Sequence, residues 1–432
     1  MKLAYFSPLN PVQSGISDFS EELLPHLAEY MDIDLFVDQG DVVNQWIRDH
    51  FKIFNIEKYD DEKVRGRYDF SVFHMGNNYD VHKNIAAYFL KYGGVLELHD
   101  VSLHGFLAND LIRNNERKKY IEIMRACHGE KGRRTAVDLI YGKIYPPWEN
   151  EAMEYTVNKH YIDRADAIVV HSDYAKQTVK AIASPKPIVS IPMQTPDIPD
   201  DFEDNKKRCR EKIGIGTEQF VFGSFGFVGY QKRVFEILES LAHYKKLKRK
   251  FHYFIVGSGL QAELEKKIAG LQLEREVTIT GFTDLDGFKT YMGACDICLN
   301  LRYPTQGETS ASLHRMLGMG KPVIVTDIGS YQEYPDDIVF KVRFDKHETD
   351  DIFNALNNLT KSRGEIARIS QNALRYAKEN FDIKRNAKQY HRFFKDIQNS
   401  SFHETWLDSL ADKVFEFDFT GETYLNHLYK KL

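Results

Sequence analysis

Long apolar runs are missing from this chain of 432 residues. No stretch approaches the roughly 20 consecutive apolar residues of a membrane span. The first residues carry one Lys, a short apolar run and then Pro8. That pattern is not expected of a secretory leader. Cysteine is scarce, with four residues, which excludes a disulfide scaffold and points to a reducing, cytoplasmic setting. Net charge is small, with Lys+Arg 58 against Asp+Glu 63 for a total of −5. No global basic field marks a nucleic-acid partner. The glycine pattern G-x-G-x-x-G is absent from the first strand-to-helix loop, which disfavours a nicotinamide cofactor. What remains is ordinary globular composition, 42% hydrophobic and 28% charged, in a chain too long for one core. Its high aromatic share, 13%, reads as core material rather than as a ligand platform.

Short apolar runs alternate with longer amphipathic ones. Strands are expected at Lys2–Ser7, Asp34–Val37, Phe70–Met75, Val95–His99, Ala167–His171 and Ile188–Ile191, with helices such as Asp18–Tyr30, Asn84–Lys91, Lys118–Cys127 and Tyr174–Ile182 between them. Five of the 13 prolines then crowd into Pro185–Pro199, so Ile191–Asn205 reads as an extended linker. Alternation restarts with strands Phe220–Phe225, His252–Val256, Val277–Thr280, Ile297–Leu301, Pro322–Val325 and Ile338–Lys341. The fold class is α/β, with two Rossmann-like, doubly wound domains. The expected units are 1–195, 206–383 and the closing helices with their tail, 384–432.

In such sheets ligands sit outside the carboxyl ends of the strands, on loops that feed helix N-termini. Gly15, in the loop Ser7–Asp18, would let a phosphate or hydroxyl approach backbone amides, or serve as a turn glycine before an N-cap at Ser17 or Asp18. Asn77, Asn78 and His82 supply donors and acceptors suited to sugar hydroxyls; the two asparagines also suit a turn. His99 and Asp100 end a buried strand. In the second half, Lys232 and Arg233 stand at a helix start, where each cation opposes the helix dipole by about 0.3–1 kcal/mol unless an anion is bound. Gly257 and Phe282 lie on the next two loops. Glu308, Thr309 and Ser310 precede another helix, where a carboxylate can accept hydroxyl hydrogen bonds and first-turn amides can grip phosphate.

The segment GETSASLHRMLGMGKPVIVTDIGSYQEYPDD, with GFVGYQKR upstream and the GNN…H and LHD loops in the first half, resembles the retaining glycosyltransferases of family 4, which have the GT-B fold. The resemblance runs over essentially the whole chain and is strongest over 220–340. It implies that Lys232 and Arg233 hold a donor diphosphate, that Glu308 and the amides of Thr309 and Ser310 hold the transferred sugar, and that His99 flanks the reacting centre. Gly15, Gly257, Phe282 and Arg315 would complete the donor site, and Asn77, Asn78, His82 and Asp100 would face the acceptor. It further implies that the closing helices cross back to brace the first domain. Two departures stand out. The family's paired glutamates, eight positions apart, fall on Gly307 and Arg315, so one carboxylate is shifted to Glu308 and the ribose-binding one is replaced. The Arg that usually stands five positions before the Lys is Phe227.

The implied activity is transfer of a sugar from a nucleotide diphosphate sugar to a saccharide, glycoconjugate or lipid-linked hydroxyl, with retention, in surface polysaccharide or glycan assembly. No cofactor and no metal are expected, because no cluster of Asp, Glu or His lies on the cleft loops. Asp32-x-Asp34 and Asp284-x-Asp286 are misplaced for metal binding, and Cys295-x-x-Cys298 reads as core. Eight Lys/Arg in Arg113–Arg134 form a solvated face or a peripheral contact with anionic lipid at the inner membrane face. Two rivals remain: a nucleotide-sugar epimerase, and a catalytically silent subunit that binds an acceptor or a partner glycosyltransferase.

Overall fold

The computed structural model describes residues 1–182, 186–195, 198–199 and 201–399. The tail expected at 402–432 and the middle of the proline-rich segment lie outside the described residues. Two separate parallel sheets form, one on each side of that segment. The first holds β1 (Lys2–Phe6), β2 (Asp32–Val37), β3 (Lys52–Asn55), β4 (Phe70–Met75), β5 (Gly94–Leu98), β6 (Ala165–Val170) and β7 (Ile188–Ser190), in the order β3-β2-β1-β4-β5-β6-β7. The second holds β8 (Phe220–Phe225), β9 (Phe251–Val256), β10 (Val277–Gly281), β11 (Ile297–Asn300), β12 (Val323–Thr326) and β13 (Val339–Val342), in the order β10-β9-β8-β11-β12-β13. In both, the strand order reverses beside the first strand. The crevice at that reversal is where a doubly wound sheet binds its ligand.

The inner strands carry apolar residues on both faces because helices cover both. Phe6, Phe36 and Phe73 stack on one face of the first sheet, with ring centroids 4.9 and 4.2 Å from Phe6, while Leu3, Tyr5, Leu35 and Val72 pack on the other. The helix Ile383–Gln398 belongs to this second cluster through Ile383, Ala387, Tyr390 and Phe394, whereas Ala377 and Phe381 still pack in the second domain. The crossing is therefore made around Asp382, which caps the helix by accepting from the Arg385 amide at 2.7 Å. At the junction, the Thr195 amide donates to the Phe381 carbonyl at 3.1 Å.

Three elements differ from the sequence reading for identifiable reasons. β3 is an edge strand whose side chains are exposed or half-buried, so it lacks an apolar signature. Ile191–Asn205 is not extended throughout. A helix spans Phe202–Lys212, capped by Asp201, and buries only Cys209 and Arg210; Arg210 Nη2 meets Asp296 at 2.5 Å. The helix expected over Lys118–Cys127 continues, through non-helical His128 and Gly129, within Arg117–Ile140. Its basic residues are interleaved with carboxylates, Lys119 on Glu116, Lys131 on Glu154 and Arg133 on Glu130. No described helix is long and apolar enough to cross a membrane.

Candidate active site

Loops after β4 and β5 face loops after β8 and β11 across a cavity of about 360 Å³, lined by Asn77, Asp100, Trp148, Arg302, Gln306 and Glu308 among others. On the first-domain side, Asp100 ends β5. Its Oδ2 accepts from the Asn77 amide at 2.7 Å. Burial, followed by the charge of Glu308, pushes its carboxyl up to about 6. Gly76 gives close packing here, since a Cβ would come within 2.8 Å of the Ile16 side-chain end and 3.3 Å of Asp100. Asn77 then reaches three ways. Its Oδ1 accepts from the Phe106 amide at 2.7 Å, its Nδ2 donates to Gln306 Oε1 at 3.3 Å, and its own amide holds Asp100.

On the second-domain side, Glu308 is buried in a loop that closes on itself. Its Oε2 accepts from the Thr305 hydroxyl at 3.0 Å and the Gln306 amide at 2.6 Å, and its Oε1 lies 2.6 Å from Arg302 Nε. Gly307 adopts φ 74°, a left-handed conformation that turns the chain into the cap. Ser310 caps the helix Ala311–Gly318 by accepting from the Leu313 amide at 3.3 Å, and Asn300 Nδ2 holds the same hydroxyl at 2.8 Å. The Thr309 hydroxyl is buried without a partner among the described residues. Helix start, carboxylate and guanidinium thus converge within one turn. Lys232 donates to the Phe225 carbonyl at 3.2 Å. Burial first, and then the charge of Arg302, push its ammonium well below the usual lysine range, with Glu308 opposing.

Gln306 crosses the cleft. Its carbonyl accepts from the Ser102 amide at 2.7 Å and its Nε2 donates to the Trp148 carbonyl at 3.1 Å. Arg302, Gln306, Trp148 and Asn109 were not among the candidates read from the sequence. Arg302 and Gln306 flank Glu308 in the same loop and were within reach of that reading. Trp148 and Asn109 come from segments whose approach to the cleft only the folded chain reveals.

Four expected positions are engaged by other groups in the structure. His99 is 5% exposed and is not among the residues that line the cavity. Its Nε2 meets His74 Nδ1 at 3.1 Å, and its ring packs edge-on to Phe19. His82 is 1% exposed and bonds the His74 carbonyl through Nδ1 at 3.1 Å, so it backs the loop rather than facing an acceptor. Arg233 is turned by φ 56° into a carboxylate clasp, with Nη2 2.6 Å from Glu348 and 2.7 Å from Glu236; only Lys232 of the pair stays with the loop. Arg315 reaches Glu22 in the helix Gly15–Leu27 of the other domain at 2.6 Å, so its charge is spent on the interdomain contact.

The remaining positions fall as follows. Gly15 opens the helix Gly15–Leu27 after Ser14, the actual N-cap, and its Cα faces open space. Asn78 is an exposed cap without a side-chain bond. Phe282 is exposed at the end of β10. Gly257 has a packing role, because a Cβ there would lie 2.1 Å from the Gly226 carbonyl. Asp34 is paired with Lys2, Asp284 caps a helix, and Cys295 and Cys298 are free and buried.

Residues 205–376 match the model of the family Glycosyl transferases group 1. The uncharacterized glycosyltransferase MJ1069 of Methanocaldococcus jannaschii is 26% identical over 155 residues, 36% of this chain and 39% of that protein; the match thus spans well under half of the relative's length. Over almost the whole chain the structure is similar to HepE of Anabaena, solved with UDP and glucose (TM-score 0.62, 16% identity, covering 91% of this chain and 99% of that one). It is similar as well to sucrose-phosphate synthase of Thermosynechococcus elongatus (TM-score 0.64, 14% identity, 93% and 100%). The fold is therefore GT-B, and the domain that follows the linker carries the glycosyl transferases group 1 match.

Proposed function

We propose that this chain is a retaining glycosyltransferase of family 4 type, moving a sugar from a nucleoside diphosphate sugar to a hydroxyl of a saccharide, glycoconjugate or lipid-linked acceptor. The observation that carries the reading is the convergence of Glu308, Arg302 and the Ser310-capped helix start of one domain on Asn77, Asp100 and Trp148 of the other. The chemical problem is a departing diphosphate and an electron-poor anomeric carbon. Lys232 and the amides of Thr309 and Ser310 stabilise the diphosphate by fixed charge in a cleft poor in water. Glu308 has Oε2 occupied by its own loop, so Oε1, beside Arg302, is the oxygen left to read a sugar hydroxyl. Asp100 holds an acceptor hydroxyl. Retention then follows from attack on the face the diphosphate leaves, with a phosphate oxygen taking the acceptor proton. No divalent ion takes part in this scheme. We place the protein in the cytoplasm, in glycan or surface polysaccharide assembly, with Arg113–Arg134 as its contact to anionic lipid.

One observation favours a silent binding subunit instead. Arg315, at the position of the family's ribose-binding carboxylate, is consumed by Glu22. A panel of UDP-, GDP-, dTDP- and ADP-sugars without added divalent ion separates the readings, with UDP-sugars tried first. A donor at a hundred times its Kd stabilises the chain by about 2.7 kcal/mol. The proposal expects one nucleotide class to raise the melting temperature and to release its sugar slowly to water. No shift and no release with any donor would leave the silent subunit; epimerised donor without acceptor would make it an epimerase.

A further inference from the structure

Beneath the helix Gly15–Leu27, away from the cavity, the carboxyl ends of β4, β5 and β6 bring together His74, Glu97, His99 and His171. All four are at least 95% buried. His74 Nε2 lies 3.5 Å from Glu97 Oε2, His171 Nε2 lies 3.6 Å from Glu97 Oε1, and His74 Nδ1 lies 3.1 Å from His99 Nε2. His74 Nε2, Glu97 Oε2, His99 Nδ1 and His171 Nε2 have no hydrogen-bond partner among the described residues. Buried polar atoms are rarely left so.

The tautomer of His171 sharpens the point. Its Nδ1 is 3.0 Å from the Ile191 carbonyl, which can only accept, so Nδ1 carries the proton and the neutral ring's Nε2 is a bare lone pair. That lone pair is aimed at a carboxylate oxygen which already accepts from the Tyr390 hydroxyl at 2.6 Å. Two acceptors face each other. One proton on Glu97 can answer one such contact but not the others.

We propose that this cluster is a binding site for a transition-metal dication of the Zn²⁺ class, held by His74, Glu97 and His99 with His171 as the fourth side chain. Ligand atoms of the first three lie within 4.8 Å of one another. Ligands about 2.0–2.2 Å from a shared tetrahedral ion stand on the order of 3.3 Å apart, close to the 3.5 and 3.6 Å by which the Nε2 atoms of His74 and His171 approach the Glu97 carboxylate. Imidazoles with one carboxylate select Zn²⁺, Co²⁺ or Ni²⁺ over Mg²⁺ or Ca²⁺. The outer partners are also in place. A ligand histidine that donates its other N–H to a carbonyl, as His171 does to Ile191, and a ligand carboxylate held by a hydroxyl, as Glu97 is by Tyr390, are the usual supports of such an ion. The ion would tie three strand ends to the interdomain linker and to the crossing helix. None of its ligands lines the cleft, so the site stands or falls independently of the donor.

The test uses the full chain, refolded or incubated with Zn²⁺ or Co²⁺ after chelator treatment, then desalted. The expected result is one Zn²⁺ per chain by elemental analysis and a four-coordinate ligand-field spectrum with Co²⁺. Tyr390→Phe should weaken Zn²⁺ binding by about 10–100-fold with unchanged circular dichroism. Glu97→Gln should lose both the stoichiometric ion and the Zn²⁺-dependent rise in melting temperature. Failure of the wild type to retain Zn²⁺ by either route, or equal binding by wild type and Glu97→Gln, would overturn the proposal.

Discussion

Glu308 and Asp100 both line the cleft, and the charge of Glu308 bears on the Asp100 carboxyl, but they invite different experiments. Replacing Glu308 by Gln keeps the shape and removes the charge that Arg302 and the Gln306 amide hold. A charge-assisted bond is worth about 1.5–3 kcal/mol, so kcat/KM for the sugar donor should fall by roughly 10–150-fold, with far less effect on affinity for the free nucleoside diphosphate. A loss within about threefold would remove Glu308 from the sugar site. Asp100 makes a prediction about stability. Its carboxyl is raised from 3.8 to about 6 in the folded chain. The folded state therefore keeps a proton that the unfolded chain has released, and its contribution is complete below pH 3.8 and is lost as pH rises through about 6. That loss is up to about 3 kcal/mol. Asp100→Asn should unfold at higher urea than wild type at pH 7 and converge with it near pH 4. A constant offset at both values would show that the carboxyl is not desolvated as the geometry implies. His99 and Asp100 also mark what adjacent letters do not reveal. Neighbours at a strand end point to opposite sides of the sheet, and only the packing of Phe19, from the helix Gly15–Leu27, on His99 shows which one meets the cleft.

At the scale of an element, the loop after β8 is the informative one. Gly226 at φ 98° and the short helical turn Tyr230–Lys232 fold the lysine back onto its own strand end, while Arg233 at φ 56° turns outward to Glu348 and Glu236. The sequence reading placed two cations on one anion because both precede the same helix; the change of backbone hand between them separates their directions. Lys232 then has its pKa held down in the free protein by burial and by Arg302, and a bound diphosphate would raise it. Nucleoside diphosphate binding should therefore take up protons, and its affinity should fall as pH rises through the lysine's lowered pKa. Calorimetry in two buffers of different ionisation heat measures the uptake; Lys232→Arg, which stays charged, should abolish it. Equal proton uptake by both proteins would locate the titrating group elsewhere.

Across the whole molecule, the two domains are held at defined points: Gln306 on Ser102 and Trp148, Glu333 on the amides of Asp173 and Tyr174, and Arg315 on Glu22. The Arg315–Glu22 pair is mostly buried, 11% and 15% exposed at the side chains, so removing one partner strands the other. Arg315→Glu should lower the melting temperature and widen the particle in solution scattering, and the exchange Glu22→Arg with Arg315→Glu should restore both, with a coupling of roughly 0.5–3 kcal/mol in a double-mutant cycle. Additive effects would deny the pair an interdomain role. Two features were legible in the sequence by itself. The parallel α/β architecture was one, because strands buried on both faces must be written as apolar runs between amphipathic helices. The other was the set of loops able to carry the site, because strand ends and helix starts are local properties of the chain. The tertiary structure alone decided which side chains distant in sequence meet. Asp100 with Asn77, Arg315 with Glu22 and Glu97 with Tyr390 include partners up to 293 positions apart, and no local pattern encodes contacts made only when two sheets and a returning helix close on one another.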